Sequence, residues 1–429
     1  MSMPWTKRLR AFRRALVLRL LGPPPLLWRL EGWRPVLLWR GVEAGQWPRT
    51  LRSWLALPPL LLQQLHWWSV RPLRQALWRR HLRKTRPTST PPPAPLPRRL
   101  ALAACWLNSF QPHEVRQWQA VGVDRWAALG TRLPDSHSGA FHSQRRLGWP
   151  QRCRPALGLL ADKAALLEHT PPAWRSPCLA LPPGDRSTAI PAWWNAALHG
   201  PGLVLKPLSG NACRGVVRFQ CRQGQLQAEG LFRPLPPGAA SDLPLAGAAG
   251  SVTPAGLQAH WQELLGRAEA AIAMPYLRQA ASLPPTDPAV VVRVITQRAT
   301  PTAAPTVGHT WLEVPLPAGA SEPGQQGPVA FIDLQGRLLP LAAGRLTEIQ
   351  RQALEPWQAL AARHPPELVA CLEASIAMHQ TLPPIDAVAW DWIPAAPHPL
   401  LLEGNSGFGM LVPQLWEHLD DRNAAGPHP

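Results

Sequence analysis

The chain's excess charge lies entirely in its first 100 residues, which hold 20 Lys and Arg against two acids, Glu31 and Glu43. The remaining residues hold 24 basic against 24 acidic side chains. The sequence therefore divides into a basic N-terminal segment and a charge-neutral body that can bury a core. In the segment, Trp28, Trp33, Trp39, Trp47, Trp54, Trp67 and Trp68 alternate with arginines and leucines. This pattern suits an anionic membrane surface, with arginine at headgroups and Trp and Leu at the boundary. It equally suits a mainly helical subdomain with a solvated basic face, and nucleic acid is the weaker expectation because a basic patch alone has low specificity. Arg19 interrupts the apolar start, unlike a secretory leader. The apolar run 53–70 carries two prolines, two glutamines and a histidine, a poor membrane span.

At 429 residues the chain calls for two or three lobes. The basic segment runs over 1–82 and a Pro-rich linker over 83–99. Next come a helical part at 100–200, a lid subdomain at 201–280, a catalytic subdomain at 281–420 and a tail at 421–429. Six cysteines without a C-x-x-C pair exclude a disulfide framework or zinc site and point to a cytoplasmic protein, peripheral on the inner membrane face if the arm binds lipid. Helical spacing appears at 112–130, 157–169, 253–273, 347–364 and 366–382. Thr253 and Pro254 read as N-cap and first-turn proline. Apolar strand candidates lie at 202–208, on both sides of Gly224 within 215–232, and at 289–298, 387–393 and 399–405. Strands and helices mix without regular βαβ alternation, so the class is α+β.

Four of the 44 basic residues are lysine, and only Lys163 and Lys206 lie in the body. An isolated ammonium among arginines suggests a point charge on phosphate. Lys206 enters the loop Ser209, Gly210, Asn211, Ala212, Cys213, Arg214, Gly215, whose backbone N–H groups can cradle phosphate oxygens or simply close a hairpin. Val216 and Val217 stand where a Walker loop requires Lys and Ser or Thr. Glu403 and Asn405, two apart on a strand, share a face, and the turn 394–399 brings Asp391 back beside them. Two carboxylates and an amide oxygen make a hard oxygen set suited to magnesium, or else a self-satisfied polar cluster at a strand end. Arg293, flanked by aliphatic residues in a strand, needs an internal carboxylate or a ligand phosphate.

Four stretches, ADKAALLEH, LVLKPLSGNACRGVVRF, VVVRVIT and AVAWDWIPAAPHPLLLEGNSGFG, resemble in their order the ATP-grasp superfamily, and within it the sugar-transfer-associated domain related to alpha-L-glutamate ligases. The resemblance covers about 155–416. It implies an ATP-grasp fold of two α+β lobes, with ATP and Mg2+ as cofactors. Lys163 and Lys206 match its phosphate lysines, the loop from Ser209 through Gly210 and Asn211 to Gly215 its lid, and Arg293 a phosphate or carboxylate arginine. Asp391, Glu403 and Asn405 match its magnesium ligands. The adenine hinge falls at Met274 to Tyr276, where Met274 and Pro275 replace the usual Gln-Glu or Glu-Lys pair. The implied activity is ATP-dependent joining of a small-molecule or sugar carboxylate to an amine or thiol through an acylphosphate, with a role in polysaccharide or glycoconjugate modification. A catalytically silent ATP-grasp scaffold and a nucleic-acid binder acting through the arm are the rival functions.

Overall fold

The computed structural model describes residues 26–31 and 34–39, scattered positions between Leu65 and Arg146, and residues 149–424 apart from 183–188, 209–214, 232–241, 245–251, 267–268, 317–327, 340–347 and 361–362. Chain contacts divide it into two compact units: Met1–Gly148 with Ala342–Arg345 and Gly407–Pro429, and Trp149–Leu341 with Leu346–Ser406. In the first, β1 (Leu26–Glu31) and β2 (Arg34–Trp39) pair antiparallel. Among the described residues no helix is long and apolar enough to cross a membrane.

The second unit opens with α1 (Pro150–Ala161) and α2 (Lys163–His169), so the continuous helical pattern read at 157–169 breaks at Asp162. The Asp162 side chain accepts from the amides of Ala164 and Ala165 at 3.0 and 3.1 Å, starting a new helix instead of continuing the old one. Next come β3 (Leu179–Leu181), α3 (Ala192–His199), β4 (Leu203–Pro207), β5 (Val217–Arg222), β6 (Gln225–Gly230), β7 (Asp242–Pro244), α4 (Pro254–Leu265) and β8 (Ala271–Pro275). The strands form one antiparallel sheet in the order β3-β8-β4-β5-β6-β7. The hairpin expected around the lid loop is present, with Leu203 opposite Phe219 and Leu205 opposite Val217. Trp194, Leu198, Leu257 and Trp261 from α3 and α4 pack on one face of this sheet with Leu203, Leu205 and Phe219.

The helix read at 253–273 stops at Leu265. Thr253 caps its start by accepting from the Gly256 amide, and Gly266 ends it at φ 61, the left-handed conformation that glycine adopts without penalty. The alanines at 271 and 273 then form a strand despite their helix propensity, because both are fully buried between β3 and β4. Burial on both faces outweighs a propensity difference of at most ~0.7 kcal/mol per residue.

The second sheet contains β9 (Val291–Gln297), β10 (Thr306–Glu313) and β11 (Val329–Phe331). The helices α5 (Glu348–Gln358) and α6 (Pro366–Thr381) precede β12 (Ala387–Ile393) and β13 (Leu400–Asn405). Its order is β11-β10-β9-β12-β13, every pair antiparallel. With two antiparallel sheets and helices outside them, the class is α+β. The first unit adds α7 (Leu411–Ala424), whose preceding amide at Met410 is held by Ser138 Oγ at 2.9 Å.

Helix α6 covers the back of the second sheet through Cys371, Leu372, Ser375 and Met378, and β12 is buried along its whole length. The two tryptophans beside Asp391 point to that side, one bonding to the helix and the other to β9. Trp392 Nε1 donates to Ser375 Oγ at 2.7 Å and Trp390 Nε1 to Thr296 Oγ1 at 2.8 Å. Thr296 in turn lies 2.7 Å from His379 Nδ1, and His379 Nε2 lies 3.1 Å from the Ile385 carbonyl. The Ile385 carbonyl only accepts, so Nε2 carries the proton and Nδ1 accepts from the threonine hydroxyl. The relay requires a neutral imidazole. Burial first, with Arg298 adding to it, lowers the His379 pKa from 6.5 to about 4.

Between those values the unfolded chain binds a proton that the folded chain refuses. Stability should be full above about pH 6.5 and fall toward pH 4 with a slope of ~1.4 kcal/mol per pH unit for this one group. Urea unfolding at pH 7, 6 and 5 measures it. His379→Gln should be less stable at pH 7 and lose that part of the slope; an unchanged slope would assign the acid sensitivity to other groups.

Candidate functional site

Register places the chemistry. Trp311 on β10 is opposite Arg293 on β9, Arg293 is opposite Asp391 on β12, and Asp391 is opposite Glu403 on β13. These four residues form one transverse row on the sheet face turned away from α6. In the neighbouring row, His309, Ile295, Ala389 and Asn405 are partners in the same way, which sets Asn405 beside Glu403.

The row closes on β13 through a bulge. Asp391 pairs with Glu403 but Trp392 pairs with Leu401, leaving Leu402 extra. The bulge lets Leu401 stay in the core behind the sheet while Glu403, two residues on, faces the front. Gly404 returns to the back, where an added Cβ would lie 2.9 Å from Leu160 Cδ2 and 3.0 Å from Trp390 Cζ3. The E-G-N triplet thus alternates ligand-type side chain, obligatory glycine and ligand-type side chain.

Both lysines come to this row. Lys163 stands at the first position of α2, the end of a helix where a cation is disfavoured by the peptide dipoles. Its Nζ lies 3.2 Å from Glu403 Oε2 and 3.5 Å from the Pro207 carbonyl. Lys206, 7% exposed on the fully buried β4, donates to the carbonyl of the bulged Leu402 at 2.9 Å. Burial by itself would raise the Glu403 pKa; Lys206 and Lys163 outweigh it and, with the Asn405 amide 3.0 Å from Oε1, hold the carboxylate at about 2. Asp391 shows the opposite balance. Burial first, with Glu403 and Glu313 adding to it, raises its pKa to about 6 against the pull of Arg293. Arg293 meets it through Nε and Nη2 at 2.5 and 2.6 Å and reaches Glu313 Oε1 with Nη1 at 3.0 Å.

Lys163, Lys206, Arg293, Asp391, Glu403 and Asn405 therefore meet, although the sequence spreads them over more than 240 residues. Of the lid residues, Gly215 is described, at φ 77, and its carbonyl accepts from Trp261 Nε1 at 2.9 Å; Ser209, Gly210 and Asn211 lie outside the described residues. The hinge residues take a separate position. Met274 is 2% exposed within the apolar core, beside Val204 and Ile272. Tyr276 donates its hydroxyl to Asp287 and lies under the Arg218 guanidinium, 4.0 Å from ring centre. Two members of the arrangement escape a reading of the sequence alone. Glu313 is one, in a β10 that the Thr- and Pro-rich stretch around it conceals. The relay of Trp390, Thr296 and His379 is the other.

Among the described residues no group of three or more His, Cys, Asp and Glu side chains can hold a metal. The front of the row offers a different donor set, two carboxylates and the Asn405 Oδ1, which no described residue donates to. That set fits a hard cation such as magnesium. The fit carries two conditions, that Arg293 give up an oxygen of Asp391 and that Lys163 give up Glu403 Oε2.

No protein-family profile matches the chain, and no curated protein does. Solved structures similar to it include D-alanine–D-alanine ligase from Bacillus anthracis complexed with ATP, at 13% identity and a TM-score of 0.33, covering 64% of this chain and 63% of that one. A D-Ala:D-Ser ligase from Enterococcus faecalis is similar at 10% identity and a TM-score of 0.33, over 71% and 64%. N5-carboxyaminoimidazole synthetase from Staphylococcus aureus complexed with ADP is similar at 11% and 0.33, over 62% and 50%. The chain spans less than two thirds of each of these proteins.

Glu403 is the anion between two ammonium groups, so Glu403→Gln should cost about 1–3 kcal/mol, discounted for its partial exposure from the cost of breaking a buried pair. Adding Lys163→Met should recover part of the loss. Denaturant unfolding of the single and double variants checks both. A double variant no more stable than the single would mean that the lysines are not strained by loss of their counter-ion.

Proposed function

We propose that this chain is an ATP- and magnesium-dependent ligase of the ATP-grasp type, joining a carboxylate to an amine or thiol. The observation that carries the reading is the convergence of the chain's two isolated body lysines on a row holding Arg293, Asp391 and Glu403. Such a front matches a triphosphate in both signs: ammonium groups for phosphate oxygens, and carboxylates with an amide oxygen for the cation that accompanies them.

In this reading Lys163, released from Glu403, and Lys206, released from the Leu402 carbonyl, neutralise phosphate oxygens. Arg293 faces the charge that develops on the transferred phosphoryl group. Asp391, Glu403 and Asn405 would hold magnesium, which would supply charge neutralisation to the phosphate group. The substrate carboxylate oxygen bonds to the terminal phosphorus as the bridging P–O bond breaks and ADP leaves. The amine or thiol then bonds to the acyl carbon, its proton passing to solvent, and phosphate departs with the electron pair. Positioning and charge neutralisation supply the acceleration, so no protein nucleophile is required. Met274 to Tyr276 border the adenine side. The substrate is a small-molecule or sugar carboxylate in glycoconjugate modification, and the basic segment 1–82 holds the enzyme against an anionic membrane surface.

MgATP at a hundredfold excess over its Kd should stabilise the full chain by ~2.7 kcal/mol, a rise of a few degrees in melting temperature. Lys206→Ala and Glu403→Ala should abolish the rise. ADP release with a panel of amino acids and sugar acids then identifies the carboxylate. A parent protein whose melting is indifferent to MgATP would speak for a scaffold instead.

A further inference from the structure

Arg293 has two carboxylate partners, and the function proposed above employs only Asp391. The second is Glu313, whose Oε1 accepts from Arg293 Nη1 at 3.0 Å and from Trp311 Nε1 at 3.4 Å. Trp311 is the cross-strand neighbour of Arg293 and sets its ring centre 6.0 Å from the guanidinium carbon. The two carboxylates differ in setting: the Asp391 side chain is 6% exposed and that of Glu313 42%.

Both oxygens of Asp391 are taken by Arg293. A cation that binds Asp391 must displace at least one of those N–H groups, and the guanidinium charge opposes it. A mostly buried guanidinium stripped of its counter-ion would be costly, so release from Asp391 needs another carboxylate within reach. Glu313 already holds the opposite edge of the group, and no other described acid makes an ion pair with Arg293.

We propose that Glu313 is the positioning residue that retains Arg293 when a divalent cation occupies Asp391. The guanidinium stays paired, pivots about its Nη1 contact, and presents the N–H groups freed from Asp391 toward the phosphate. Trp311 keeps Glu313 oriented for this task. The inference rests on the assignment of Asp391 as a cation ligand.

The test is Mn2+ binding to the full chain, followed by electron paramagnetic resonance of the free ion. Glu313→Ala should weaken Mn2+ binding about tenfold, the scale of a single site-to-site coupling. Glu313→Gln, which keeps the acceptor oxygen but loses the charge, should fall between. In an Arg293→Ala background, Glu313→Ala should change the affinity less than twofold, because no guanidinium remains to be retained. An equal loss in both backgrounds would mean that Glu313 acts on the cation directly, and would overturn the proposal, as would unchanged affinity in Glu313→Ala. Urea midpoints identify any variant that is unfolded, in which case Glu313→Gln carries the comparison. A parent protein that binds Mn2+ no better than Asp391→Asn would instead remove the cation site itself, a result separable from the others because every variant would then be alike.

Discussion

The bidentate pair of Arg293 and Asp391 is the centre on which the site depends. Both groups sit in mid-strand, one on β9 and one on β12, and both are largely withdrawn from water. Neither charge is tolerable there alone. Around them the front of the sheet is balanced, with Lys163, Lys206 and Arg293 against Asp391, Glu403 and Glu313. That balance lets an ion-rich surface persist inside a folded protein without ligands. On the function proposed above, an incoming polyanion and its cation would exchange partners with groups already present.

Rigidity comes from the other side of the same strand. Trp390 and Trp392 flank Asp391 and point backward, each anchored by its indole N–H to a hydroxyl, and the Leu402 bulge keeps Leu401 and Gly404 in the same core. Gly404 leaves little room for a Cβ against Leu160 and Trp390, so a side chain there would push the strand, and Glu403 with it, out of place. The carboxylates are therefore placed by hydrophobic packing and hydrogen bonds that they do not themselves make.

Much of this front was legible in the sequence because its signals are local. The spacing of Glu403 and Asn405 states a shared strand face, the prolines after Ile393 state a return, and a lone arginine among valines states a need for an anion. Asp391 opposite Glu403 follows from these within one residue, and the bulge decides which. Less legible was whatever depends on partners distant in the chain. Ala271 and Ala273 read as helix until β3 and β4 bury them. The stretch 157–169 read as one helix, and Asp162 divides it by capping a second. Glu313 had no signal of its own, since its strand crosses a stretch rich in threonine and proline, and its meaning appears only when Trp311 is found opposite Arg293.

The transverse arrangement of the site has a geometric consequence. Adjacent members of the row sit on adjacent strands, so the pitch of its charges is the inter-strand distance of ~4.8 Å, fixed by backbone hydrogen bonding. Side-chain substitution can lengthen or shorten an individual arm but cannot stretch that pitch. Room for a larger group can then come only from the connections at the sheet's rim, while the spacing of the charges beneath them is set by the backbone.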